Sequence, residues 1–383
     1  MSQIRVMSTG GRRAVGVLCL LFALQTTTWV LYDLIDFGAE NTWKVWTESG
    51  QPEGVDRPAI TTRYDLGLLA LQLTAALAGL AGSRLADGIL PLASVATMLL
   101  RAPVLVISFD LTDELAESPY DDWPGLQVMQ TCLGAVTTGI AATIAALAIR
   151  RVWPAPARPG FPAPPAAQEK PPVRPGSAGV TVAALVLGLT TVINVLWQID
   201  VLSNSDVDYG DIFYGKRFVT SLLSIGPAYR WTVLALLAVL GVIVALLRGP
   251  AARGYGVGMG LLLTFTGLLT VATLVENDVF FELRDGDREF WDFLTNVEAL
   301  LSLLGGLALV ACMGMRGAPV SGPTGPGVGP AAGGMPPAAP PPPSGYGYSQ
   351  PQPQPGAGSP PPSPGYGYPP PPPAPPQGSP NGW

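Results

Sequence analysis

Eight stretches of this chain are apolar for long enough to cross a lipid bilayer: roughly 14–35, 66–83, 88–109, 126–149, 178–199, 230–247, 256–275 and 293–315. A membrane helix needs about 20 mostly apolar residues, because the hydrocarbon layer is about 30 Å thick and a helix rises about 1.5 Å per residue. The composition agrees: 13% of residues are charged, against about 25% in a soluble domain. The expected fold is all-α, a polytopic membrane protein of eight transmembrane helices. Only Ser83 to Asp87 separates the second stretch from the third. That leaves a tight hairpin or one long kinked helix, and the flanking Gly82 and Gly88 favour the hairpin. The first stretch follows Arg5, Arg12 and Arg13 like a signal peptide, but no Ala-x-Ala-like site closes it. A retained anchor is expected.

Charge predicts the orientation. Eight passes put the N-terminus, the loops after the second, fourth and sixth spans, and the C-terminal region on one side. That side carries twelve Lys and Arg (Arg5, Arg12, Arg13, Arg84, Arg150, Arg151, Arg158, Lys170, Arg174, Arg248, Arg253, Arg316) against Asp87 and Glu169. The other side carries eight Lys and Arg and 24 Asp and Glu. Short loops rich in Lys and Arg stay cytoplasmic. Both termini are therefore expected in the cytoplasm, with the spans in the cell membrane. The net charge of −6 is an acidic outer face over a basic inner one, and the lipid bilayer, not nucleic acid, is the partner it implies. Trp29, Trp43, Trp46, Trp123, Trp197, Trp231 and Trp291 fall near the outer boundary, where aromatic rings collect at headgroup level.

The spans fall into two sets of four, predicting a first membrane repeat over 1–150, a Pro-rich cytoplasmic linker over 151–176, a second repeat over 177–316 and a tail over 317–383. Val30-Leu31-Tyr32 recurs as Val195-Leu196-Trp197, and Leu69-Ala70-Leu71 as Leu234-Ala235-Leu236. Acidic residues follow the third span at Asp110 and the seventh at Glu276, and Trp123 precedes the fourth as Trp291 precedes the eighth. The near-constant offset predicts a duplication. An even number of spans in each half makes it a parallel repeat, related by an axis along the membrane normal.

Arg101 and Glu298 are the ionisable residues expected deep in spans, at similar depth below the outer surface. A lone charge at mid-membrane costs on the order of 3 kcal/mol, so an intramembrane ion pair between them, or snorkelling of each toward the outer surface, is expected in preference to an ion path. Gln25, Gln72, Gln130, Asn194, Gln198 and Asn296 should each face another helix. Small residues four apart (Ala75/Gly79, Ala78/Gly82, Ala135/Gly139, Gly256/Gly260) predict close helix contacts within the protein or in a homo-oligomer. Asp110, Asp113, Glu114, Glu276, Asp278 and Glu282 are cation ligands by type, but no segment has the spacing of a calcium loop. Histidine is absent, and Cys19, Cys132 and Cys312 lie in spans as small hydrophobes. No motif for zinc, nucleotide or dinucleotide is present, so neither cofactor nor metal is expected.

The region 317–383 has no charged residue and holds 25 of the 42 prolines. It cannot bury a core, which predicts disorder. Ser344 to Tyr348 and Pro364 to Tyr368 repeat a Gly-Tyr-Gly-Tyr unit, making Tyr346, Tyr348, Tyr366 and Tyr368 candidate contacts for a cytoplasmic protein partner. The Gly-, Ala- and Pro-rich usage suggests a high-GC bacterial source. The expected function is that of a non-enzymatic envelope scaffold recruiting partners through the tail and acidic outer loops. The alternative is a transporter or channel with a path at the interface of the repeats.

Overall fold

The computed structural model describes residues 4–48, 58–114, 125–153, 173–204, 208–215, 221–282, 289–315 and 317–319. All belong to one unit, Met1–Thr324. Most of the linker, and the tail with Tyr346, Tyr348, Tyr366 and Tyr368, lie outside the described residues. In chain order the elements are β1 (Ile4–Met7), α1 (Thr9–Asp36), α2 (Gly38–Glu48), α3 (Arg63–Leu80), α4 (Ala86–Glu114), α5 (Gly125–Ala148), β2 (Arg150–Trp153) and β3 (Val173–Arg174). There follow α6 (Ser177–Asn204), α7 (Tyr209–Tyr214), α8 (Pro227–Leu246), α9 (Ala251–Glu276), α10 (Glu289–Leu300), a π turn over Leu301–Gly305, α11 (Gly306–Gly314) and β4 (Ala318–Pro319).

Local signals set the helix starts. The Ser8 side chain accepts from Gly11 N ahead of α1. A Thr62/Asp65 capping box opens α3, and Pro227 begins α8, where its missing N–H removes no helix bond. Gly82 adopts positive φ between α3 and α4, so the second and third expected spans are separate helices. Gly88, in contrast, is inside α4. Helix α4 runs through Pro91 and Pro103 without a break.

Seven helices among the described residues are long and apolar enough to cross a membrane: α1, α4, α5, α6, α8, α9 and the composite 289–314. The second expected span, α3, is 18 residues long and falls short of that measure because it includes Arg63, Asp65 and Gln72. The outward faces of these helices are apolar. Leu77, Ile144, Leu147, Leu185, Leu202, Leu246 and Leu304 are each exposed by more than half. Water does not tolerate such continuous apolar surface, whereas lipid does. The chain is a multi-pass membrane protein.

The helices pack in a recurring order. In the first half α1 lies on α3, α4 on α5, α3 on α4 and α1 on α5; in the second α6 lies on α8, α9 on α11, α8 on α9 and α6 on α11. Helix α9 joins the halves by packing on both α3 and α4. Two short antiparallel pairs, β1–β2 and β3–β4, clasp the ends of each half, with Met7 opposite Arg150 and Arg174 opposite Ala318. Lipid gives no hydrophobic drive for helix association, so close approach through small residues matters. A Cβ on Gly88 would overlap the Ala251 carbonyl and approach Tyr255 N, and a Cβ on Gly254 would overlap the Leu85 carbonyl and approach Ile89 N. The expected small-residue contacts take their places too. Gly79 meets Gly16, Gly139 meets Ser94 and Met98, and Gly260 meets Gly306.

Candidate functional site

Two ion pairs lie buried in the first half. At the end that carries the strands, Arg12 Nε and Nη2 donate to the Asp87 carboxylate at 3.0 and 3.1 Å, and Met7 N donates to Asp87 Oδ1 at 3.3 Å. Toward the opposite end, Arg101 Nη2 donates to Asp65 Oδ1 at 2.5 Å, with both side chains at most 6% exposed. The second Asp65 oxygen accepts from Thr62 N and Thr62 Oγ1 at 2.6 and 2.9 Å. The carboxylate therefore caps α3 and neutralises Arg101 at once.

Arg101 and Glu298 are thus not brought together. Helix α3 starts three residues earlier than the hydropathy of its core indicates, which carries Asp65 into the bundle. Helix α4 packs mainly on α3, α5 and α9, so Asp65 is in reach and Glu298 is not. Glu298 faces α6 instead, where Trp197 Nε1 donates to its Oε2 at 2.7 Å. Of the expected interhelical amides, Gln72 accepts from Thr26 and donates to Thr97 at 3.0 and 2.9 Å, tying α1, α3 and α4. Gln25 donates to the Thr131 carbonyl at 2.8 Å. Gln198 donates to the Ala228 carbonyl and Thr232, and Asn296 accepts from Phe281 N at 3.1 Å. Asn194 is buried with Oδ1 unpartnered among the described residues. Gln130 faces outward, contrary to expectation. Among the described residues no group of three or more Asp, Glu, Cys or His could hold a metal ion.

Near these groups lies a cleft of about 270 Å³ at the end away from the strands. Arg63 and Tyr64 of α3, Trp197 of α6, Arg230, Trp231 and Leu234 of α8, Thr266, Thr270, Thr273 and Leu274 of α9, and Thr295 and Glu298 of α10 line it. Trp197 stacks on Trp231 with centroids 5.3 Å apart and packs against Trp291 at 5.1 Å. The Arg230 guanidinium lies over the Tyr64 ring at 4.7 Å and that of Arg63 at 5.5 Å. Arg230 also donates to the Tyr64 hydroxyl, and Arg63 to Thr273 Oγ1 at 3.1 Å. Neither arginine has a carboxylate partner among the described residues. A smaller polar cavity of about 120 Å³, lined partly by Trp46, Thr61 and Ser221, shares Arg63, Tyr64 and Arg230 with the cleft.

These arginines were not legible as a site, since each reads as an ordinary loop cation. The available signal is the pair Arg63-Tyr64 and Tyr229-Arg230, 166 residues apart, each in a first helical turn. Compared with known protein families, with curated proteins and with solved structures, the chain matches none of them.

Proposed function

We propose that the chain spans the cell membrane eight times as two parallel four-helix repeats with both termini cytoplasmic, performs no chemistry, and organises or recruits partners through its tail and outer loops. The observation that carries this over transport is the close contact of α4 with α9 where the halves meet. The α4 and α9 backbones touch at Gly88 and Gly254, and a Cβ on Gly258 would run into Leu92, Leu71 and Ile89. Backbone contact at these positions leaves no room for a substrate path between α4 and α9. The duplication is supported by the matching order of helix neighbours and by the two strand clasps. It is supported further by glycine contacts that repeat at offsets of 166 and 167, since Gly88 and Gly254 are reciprocal and Gly139 on Ser94 and Met98 answers Gly306 on Gly260 and Thr264. Helix α3 supports an eighth span. Its 18 residues reach about 27 Å, near the thickness of the hydrocarbon layer, and it packs along α1.

The transporter alternative rests on the cleft and on the π turn that follows Glu298, since such turns are frequent at functional sites. Topology and role are tested together. In a cysteine-free background, single cysteines at 40–60 and 203–215 label from outside intact cells, and those at 155–175 and 322–380 do not. Outside labelling of the linker removes the eight-span reading. A chain ended after Val320 keeps β4 and, on this proposal, inserts and melts like the full chain while losing its co-purifying cytoplasmic partners. Retention of every partner by the shortened chain refutes recruitment by the tail.

A further inference from the structure

We infer that the cleft among α3, α6, α8, α9 and α10 is a binding site for a ligand with a single phosphate or carboxylate group, seated between Arg63 and Arg230 with its less polar remainder against Trp197, Trp231 and Leu234. Two features converge there. First, two guanidiniums flank one tyrosine ring with no carboxylate partner among the described residues. This holds on the face of the protein that is richest in Asp and Glu. Second, both stand in the first turn of a helix, Arg63 in α3 and Arg230 in α8. The helix macrodipole disfavours cations at that end, so their placement opposes local stability, and an anion between them relieves both the mutual repulsion and the dipole conflict.

The chemistry selects the ligand. Planar guanidinium groups take carboxylate and phosphate oxygens bidentately. Glu298, the tenth residue of α10, lies deeper than the arginines and repels a second anionic group. The threonines of α9 spend their protons on their own helix, Thr270 on the Thr266 carbonyl and Thr273 on that of Leu269, so their oxygens accept from ligand hydroxyls. The volume of about 270 Å³ accommodates a headgroup-sized fragment. The anion has two sources: an outer-leaflet lipid headgroup or a soluble anion.

The test uses the full-length protein purified in a neutral detergent, with thermal unfolding followed against added phosphatidylglycerol, phosphatidylcholine or inorganic phosphate. Saturable stabilisation by phosphatidylglycerol beyond phosphatidylcholine assigns a lipid headgroup, and stabilisation by inorganic phosphate alone assigns a soluble anion. In either case Arg63→Gln and Arg230→Gln each weaken the apparent affinity about tenfold, the loss expected for one charge-assisted hydrogen bond. Lys44→Gln, an outer cation that pairs with Glu40, leaves it unchanged. Stabilisation by neither anion, or stabilisation that survives both Arg→Gln changes, overturns the inference. Should a glutamine variant not fold, Arg63→Lys and Arg230→Lys interrogate the same site by keeping the charge while removing the planar bidentate fork. Weaker binding supports the site and unchanged binding refutes it. None of these readouts depends on the tail, so failure here and failure of the recruiting role are separately visible.

Discussion

The two halves treat one level of the membrane in opposite ways. Positions 166 residues apart hold Asp65 and Trp231 on one pair of helices, and Arg101 and Gly267 on the next. In the first half a buried ion pair occupies this level, Trp29, Val104, Ile107, Val128 and Cys132 belong to one buried apolar cluster, and the cavity left beside the pair is about 10 Å³. In the second half the ion pair gives way to Trp231 and Gly267, threonines replace the apolar side chains, and a cleft of about 270 Å³ opens between these residues and Arg63 and Tyr64 of α3. The difference teaches a division of labour. One half spends its polar residues on cohesion, and the other leaves its polar residues partly unsatisfied. Unsatisfied groups in a cavity are what a ligand needs.

The hardest blow to this contrast is dealt at the ion pair. Arg101→Leu strands Asp65, and Asp65→Leu strands Arg101, in a site too dry to solvate either. Each change is expected to destabilise the protein by about 3–5 kcal/mol, and the double change to recover much of the loss. A thermal-stability cycle in detergent reads the coupling. Effects that add within about 0.5 kcal/mol would show the two groups to be energetically independent. The same cycle on Arg101 and Glu298 is expected to be additive, because those residues have different partners.

The next effect probes the seam on which the halves meet. Gly88→Leu and Gly254→Leu each force a side chain into the opposing backbone and are expected to destabilise by about 1–3 kcal/mol or more, as overpacking does. Because the contact is reciprocal, the two changes should be similar in size. Gly188→Ala, where a Cβ meets open space, stays within about 0.5 kcal/mol on the usual scale for surface changes. A large inequality between Gly88 and Gly254 in the melting temperature would break the equivalence of the halves. Smaller again is Glu298→Gln. It weakens a charged hydrogen bond from Trp197 to a neutral one, and a loss of about 1 kcal/mol is expected.

Much of this architecture was legible in the sequence, and what was not has a physical cause. Hydropathy locates the long helices because lipid demands apolar faces, and the small-residue spacings at Ala75/Gly79 and Ala135/Gly139 mark real contacts because only small side chains admit close backbones. The helix ends are another matter. Hydropathy falls at a charged residue whether that residue caps a helix or leaves it, so Asp65 reads as loop while its capping box places it in the first turn of α3. The error propagates. With Asp65 in the loop, Arg101 has only Glu298 left as a partner, although the depth match between them says nothing about which helices adjoin. Arg12 and Asp87 were misjudged in the same way, counted as loop charges while they bind each other at the start of α1 and α4. The cleft was illegible because it arises from an absence, the missing counterpart of the Arg101–Asp65 pair in the second half, and absences become visible only once the neighbours are known.

The smallest expected effect is the sharpest discriminator between cohesion and binding. If Arg63 and Arg230 serve a ligand and not the fold, their removal should leave the ligand-free protein nearly unchanged. Two terms oppose one another. Taking a cation out of a first helical turn relieves a dipole conflict of roughly 0.3–1 kcal/mol. Losing the contact with the Tyr64 ring forfeits about 0.5–1 kcal/mol at a partly exposed site. Arg63→Gln keeps a hydrogen-bond donor toward Thr273 and has the longer distance to the ring, so it is expected at or slightly above wild-type stability. Arg230→Gln gives up the closer ring contact and is expected at or slightly below it. Both should lie within about 0.5 kcal/mol of wild type, the range of surface changes that break nothing structural. The measurement is thermal unfolding in lipid-free neutral detergent, run beside Arg101→Leu as the structural reference. A loss of about 2 kcal/mol or more in either glutamine variant would make these arginines part of the scaffold. The second half would then hold itself together by charge as the first does, and the contrast between the halves would disappear.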